Sequence, residues 1–105
     1  MAKKGTKYPT TPQSTPSVVG LDSLIGQNVI VRTVTYHYTG TLAARRDGYL
    51  TLADATWIAD SGRWSDALTK GTLSEVEPYP GHCYVAESAI VDVSPWSCPL
   101  PRAPK

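Results

Sequence analysis

Residues 38–58, YTGTLAARRDGYLTLADATWI, constrain the fold more tightly than any other stretch of the chain. Asp47-Gly48 stands between two runs of alternating character. Asp-Gly in that setting is the strongest short-range hairpin signal, because both central residues accept positive φ. In the first arm Leu42 and Ala44 share one face, and Thr41, Ala43 and Arg45 the other. In the second arm Leu50, Leu52 and Ile58 alternate against Tyr49, Thr51, Ala53, Ala55 and Trp57, the period of two that a half-buried strand requires. Gly40 interrupts the first arm, where a strand glycine marks a bend or bulge. A bent, strongly twisted hairpin is how a small barrel turns its corner.

The remainder must fit around that hairpin within 105 residues, enough for one small domain. A 41% hydrophobic fraction supplies one modest core, and nine prolines with eight glycines argue against a long helical bundle. The 18% charged fraction is low for a free-standing surface and favours cover by partner subunits. No apolar run approaches the roughly 18 residues of a membrane span, and MAKKGTKYPTT lacks the apolar centre of a secretory signal. The expectation is a cytoplasmic protein with no membrane partner.

Charge is divided unevenly. Lys3, Lys4, Lys7, Arg102 and Lys105 give the ends +5, while five cations and nine acids leave the middle at −4. A protein that coats duplex nucleic acid carries a diffuse basic face instead, so any phosphate binding here must be local or come from the tails. Cys83 and Cys98 are too few for a disulfide framework and are expected reduced. Together with His37 and His82 they show no metal-ligand spacing, so no metal and no cofactor are expected.

Three segments follow from composition. Residues 1–17 form a basic Pro/Thr-rich arm, expected to be flexible because it has too little apolar surface to offset its ordering entropy. Residues 18–96 form the barrel, and 97–105 a Pro-rich tail, expected to lie extended over a neighbouring surface. Within the barrel, Val18–Gly26 reads as one helical turn, and Gln27–Tyr38 as a first strand apolar on both faces. Ser65 reads as the cap of a short helix ended by Gly71, with Trp64 and Leu68 pinning it down. Thr72–Gly81 is a β-arm up to Pro78, and His82–Glu87 and Ala89–Val93 are the last strands.

Leu24-Ile25-Gly26 with Val29 and Val31, then Gly40-Thr41-Leu42 with Leu50, Leu52, Asp54 and Ala55, resemble the opening and first signature of the Sm/LSm/Hfq superfamily, and Ala89-Ile90-Val91 the end of its second. The longer pattern YTGTL, DATWIADSGRW, EVEPYPG and AIVDVSPW is similar to small Sm-like proteins of tailed phages and prophages. The resemblance implies an all-β, strongly bent, five-stranded Sm-like barrel with a short N-terminal helical turn. It further implies a homo-oligomeric ring closed by the fourth strand of one subunit against the fifth of the next, residues near 82–87 against 89–94. A phage-encoded chain of this kind would act in the host cytoplasm or in the virion. The family's uridine-reading residues are not reproduced: Tyr49 stands near the position of its Asn, and Ser88-Ala89 replaces its Arg-Gly.

Arg45, Arg46 and Tyr49 at the hairpin tip are the candidate ligand site, since two guanidiniums beside an aromatic face can neutralise phosphate and stack a base. The bland reading is a solvated hairpin tip, and the two are close in weight. Trp57, Trp64 and Trp96 read as core and interface packing rather than a stacking platform. Among Asp54, Asp60, Glu75, Glu77, Glu87 and Asp92 nothing fixes a catalytic pair, and Asp54 and Asp92 read as acceptors of backbone hydrogen bonds. Neither a nucleophile with its base nor a phosphate-cradling glycine loop is present. Two functions remain: a ring that binds RNA, single-stranded nucleic acid or a nucleotide, and a structural or protein-interaction ring.

Overall fold

The computed structural model describes residues 20–105, so the arm expected over 1–17 lies outside the described residues. A 3-10 turn, Leu21–Leu24, leads into β1 (Asn28–Thr33), β2 (His37–Arg46) and β3 (Tyr49–Asp60). Helix α1 (Trp64–Lys70) and β4 (Glu75–Pro78) follow, then β5 (Cys83–Ala86), a second 3-10 turn (Glu87–Ala89) and β6 (Ile90–Pro95). All pairings are antiparallel, in the order β4-β3-β2-β1-β6, with β5 also on β3.

Strand β3 explains the shape. It pairs with β2 along one side, and on the other with β5 over Tyr49–Leu52 and β4 over Thr56–Asp60. Between those partners Asp54 takes φ 50°, which an aspartate tolerates better than most residues. Beside it the β2–β3 register slips at Thr39/Thr41. A Cβ on Gly40 would stand 2.9 Å from the Ala53 carbonyl oxygen, so only glycine allows the two strands this approach. The bulge also changes the parity of β3. Ala55, expected opposite Leu50 and Leu52, is buried with them, and Ile58 faces the other side.

The sheet therefore has two buried faces. Val29, Val31, Leu42, Leu50, Leu52, Ala55 and Val85 fill the inner one, under Leu21 and Leu24. Ile30, Ile58, Ala67, Leu73, Val76 and Trp96 fill the outer one, with Trp64, Leu68, Cys98 and Leu100 against them. Each large aliphatic side chain so buried contributes roughly 1.5–3 kcal/mol. This accounts for the apolar residues on both faces of β1.

Four expectations are corrected. The first strand ends at Thr33, because the Thr33 hydroxyl donates to the Tyr36 carbonyl (2.6 Å), accepts from its amide (3.1 Å) and closes a turn without glycine or proline. Six strands form among the described residues where the resemblance implied five, because the expected β-arm up to Pro78 pairs with β3 as β4. Ser65 lies inside α1, whose N-cap is Arg63 without a side-chain cap bond, although Gly71 ends the helix in the left-handed conformation as expected. The Pro-rich tail lies on its own subunit: Thr56 donates to Pro101 O (2.6 Å), and Arg102 donates to Ala55 O (2.9 Å) and Tyr79 O (3.0 Å).

Candidate functional site

The β2–β3 turn has the mirror-image geometry that Asp-Gly favours, with Asp47 at φ 56° and Gly48 at φ 81°. Arg45 lies across from Leu50, and Arg46 across from Tyr49. Opposed residues share a face and successive ones alternate, so the two arginines project to opposite sides of the sheet.

Arg45 is engaged. Its Nε donates to Glu87 Oε2 (2.7 Å) and its Nη2 to Glu87 Oε1 (3.3 Å), while Nη1 reaches Asp22 Oδ1 at 3.5 Å. The Glu87 amide donates to Gly48 O (2.8 Å). Arg45 thus ties the hairpin turn to both 3-10 turns. The fork holds the Glu87 carboxyl below the usual carboxylate range and raises the Arg45 guanidinium.

Arg46 and Tyr49 are available. The Arg46 side chain is 80% exposed and among the described residues has only a 4.0 Å approach to Asp47, and Tyr49 is 47% exposed. The open groove beside the turn is lined by Asp22, Arg45, Arg46, Asp47, Gly48 and Glu87, three carboxylates against two guanidiniums. Of the three sequence candidates, Arg46 and Tyr49 are exposed cross-strand neighbours on one face and Arg45 is a strut. Glu87 and Asp22 were not recognised as its partners. They lie 42 and 23 residues away, and no local pattern marks such a contact.

The remaining sequence candidates take structural places. Among the described residues Asp92 accepts from Arg32 and not from backbone, Arg32 Nε donating to Oδ1 at 2.9 Å, and is held below its usual range by that contact. The Arg32 guanidinium lies 4.7 Å over the Trp64 ring, and His37 meets the same ring edge-on at 5.6 Å. Asp54 is exposed at the bulge, and Asp60 Oδ1 accepts from the Gly62 amide at 2.8 Å. Trp96 is 4% exposed and donates to Pro99 O, while Trp57 packs against Tyr36 at 4.8 Å. Cys83 and Cys98 are both free thiols, and burial pushes the Cys83 thiol up.

Among the described residues two sheet edges remain open, the outer sides of β5 and β6. Each carries an exposed apolar residue, Tyr84 (64%) on β5 and Val91 (58%) on β6.

No protein-family model and no curated protein matches the chain. Solved structures do. The P. aerophilum SmAP1 heptamer is 23% identical at a TM-score of 0.53, over 71% of this chain and 85% of that one. A heptameric archaeal Sm protein is 23% identical at 0.52, over 71% and 93%. The Sm protein of Pyrococcus abyssii, in complex with a uridine heptamer, is 20% identical at 0.52, over 70% and 89%. The chain has the Sm-like fold, an antiparallel and mostly β sheet with one short helix.

Proposed function

We propose that this chain is a ring-forming, non-catalytic Sm-like protein that binds single-stranded nucleic acid or a nucleotide through Arg46 and Tyr49. The observation that carries the reading is that exposed cross-strand pair, one cation and one ring on the same face beside the turn. Stacking a base on Tyr49 contributes about 1–3 kcal/mol, and Arg46 supplies the phosphate contact. Two open edges support the ring, because pairing them between copies removes unsatisfied backbone groups and covers Tyr84 and Val91. The similar structures include two heptamers and an Sm protein in complex with a uridine heptamer. The phage-type assignment is supported by the sequence pattern alone.

Fluorescence polarisation with short labelled RNAs at about 50 and about 200 mM salt tests the site. Arg46→Ala and Tyr49→Ala should each weaken binding about tenfold. Only Arg46→Ala should flatten the salt dependence, which should already be shallow with one available cation at each turn among the described residues. Arg45→Ala should act chiefly on stability. Lys3, Lys4 and Lys7 are the rival cations, so deletion of residues 1–16 is titrated in parallel. If that deletion abolishes binding while both point variants bind like wild type, the turn is not the site.

The second reading is a structural or protein-interaction ring, in the virion or on a host factor. The carboxylate excess of the groove favours it. An intact oligomer that binds neither the RNAs nor labelled single-stranded DNA nor a labelled nucleotide would favour that reading over the first.

A further inference from the structure

The sheet has a third edge, the outer side of β4, and this one is not open. In an antiparallel ladder alternate residues face the partner strand. Glu75, Glu77 and Tyr79 therefore aim their backbone groups at β3, consistent with the Tyr79 amide donating to Ala55 O, and Val76 and Pro78 aim outward. Pro78 has no N–H. The outward donor of β4 is thus the Val76 amide, and it donates to Lys105 O at 3.0 Å while the Lys105 amide donates to Val76 O, also at 3.0 Å.

That pairing is held from several points. Trp96 is buried in the outer core, Cys98 and Leu100 pack beside it, and Thr56 and Arg102 fix Pro101 and the last residues to β3 and Tyr79. The Arg102 guanidinium bridges two main-chain carbonyls, bonds stronger than neutral ones. Pro99, Pro101 and Pro104 offer no amide hydrogens, so the tail closes an edge without presenting a full new one.

We propose that residues 96–105 are an edge cap: they close β4 against strand pairing with a second copy of this chain and so confine subunit contacts to β5 and β6. The cap rests on the ring reading only for the identity of the two edges left open. Displaced, it leaves the Val76 amide and carbonyl facing outward beside apolar Ile58, the kind of edge that pairs with another copy.

The full-length Thr56→Val/Arg102→Ala double variant removes three hydrogen bonds that anchor the tail, and Lys105→Pro removes the N–H given to Val76 O while leaving those anchors. Hydrogen exchange should show the Val76 amide exchanging about tenfold faster or more in the double variant, with β1 amides unchanged. Light scattering should show mass rising above wild type as concentration increases, with Lys105→Pro in the same direction but weaker. Unchanged Val76 exchange in both variants, or faster exchange with an unchanged mass at every concentration, would overturn the cap. A monomeric wild type would contradict the ring but leave the cap to be judged by whether the variants associate.

Discussion

Arg45 and Glu87 form a two-bond fork that closes two turns onto one another, with Asp22 adding a third, and its chemistry makes it pH-dependent. Glu87 titrates below its ordinary value in the folded chain because Arg45 stabilises the ionised form. Its contribution is therefore complete above the unfolded value, about 4.3, and is lost as pH falls through the lower folded value. Asp92, depressed by Arg32, acts in the same acid window. Glu87→Gln should accordingly lower the melting temperature near neutral pH and make the acid limb below about pH 4.3 shallower without abolishing it. An acid limb identical to wild type in a series of thermal melts would remove Glu87 from the account. At this scale the sequence identified charged and aromatic side chains at the turn but could not divide them. Strand parity sends Arg45 and Arg46 to opposite faces, and the acids that engage Arg45 arrive from distant segments.

The elements were readable wherever the chain uses glycine or proline. Asp47-Gly48 gave the β2–β3 turn, Gly71 the end of α1, and Pro78 the end of β4. Where a side chain does the same work, the pattern was silent. The Thr33 hydroxyl closes the β1–β2 turn, and Asp54 in the left-handed region makes the bulge that shifts the parity of β3. The tail misled for a related reason. Its prolines mark it correctly as extended, but what holds it are hydrogen bonds exchanged with β3, β4 and Tyr79, which no local pattern encodes. Gly40 is the element-scale test. An added Cβ would meet Ala53 O at 2.9 Å and Leu52 Cβ at 3.0 Å, so β2 and β3 must move apart at the bend. Gly40→Ala should destabilise the fold by roughly 1–3 kcal/mol in denaturant unfolding. A variant as stable as wild type would mean that the bend does not depend on that close approach.

At the scale of the whole molecule, the layers on the two sides of the sheet leave β5 and β6 as its unpaired edges among the described residues. Exposed Tyr84 and Val91 mark those edges, whereas neighbouring Val85 is 5% exposed and belongs to the inner core. Charge placed at Tyr84 or Val91 should therefore break assembly while sparing the barrel, and the same change at Val85 would confuse the two. Light scattering of the full chain at micromolar concentration is the most direct measurement. The account predicts a single species at a multiple of the 11.3 kDa subunit mass, which Tyr84→Lys or Val91→Lys reduces with the folded circular dichroism spectrum retained. A wild-type chain running as an 11.3 kDa monomer, or an oligomer untouched by either substitution, would contradict it.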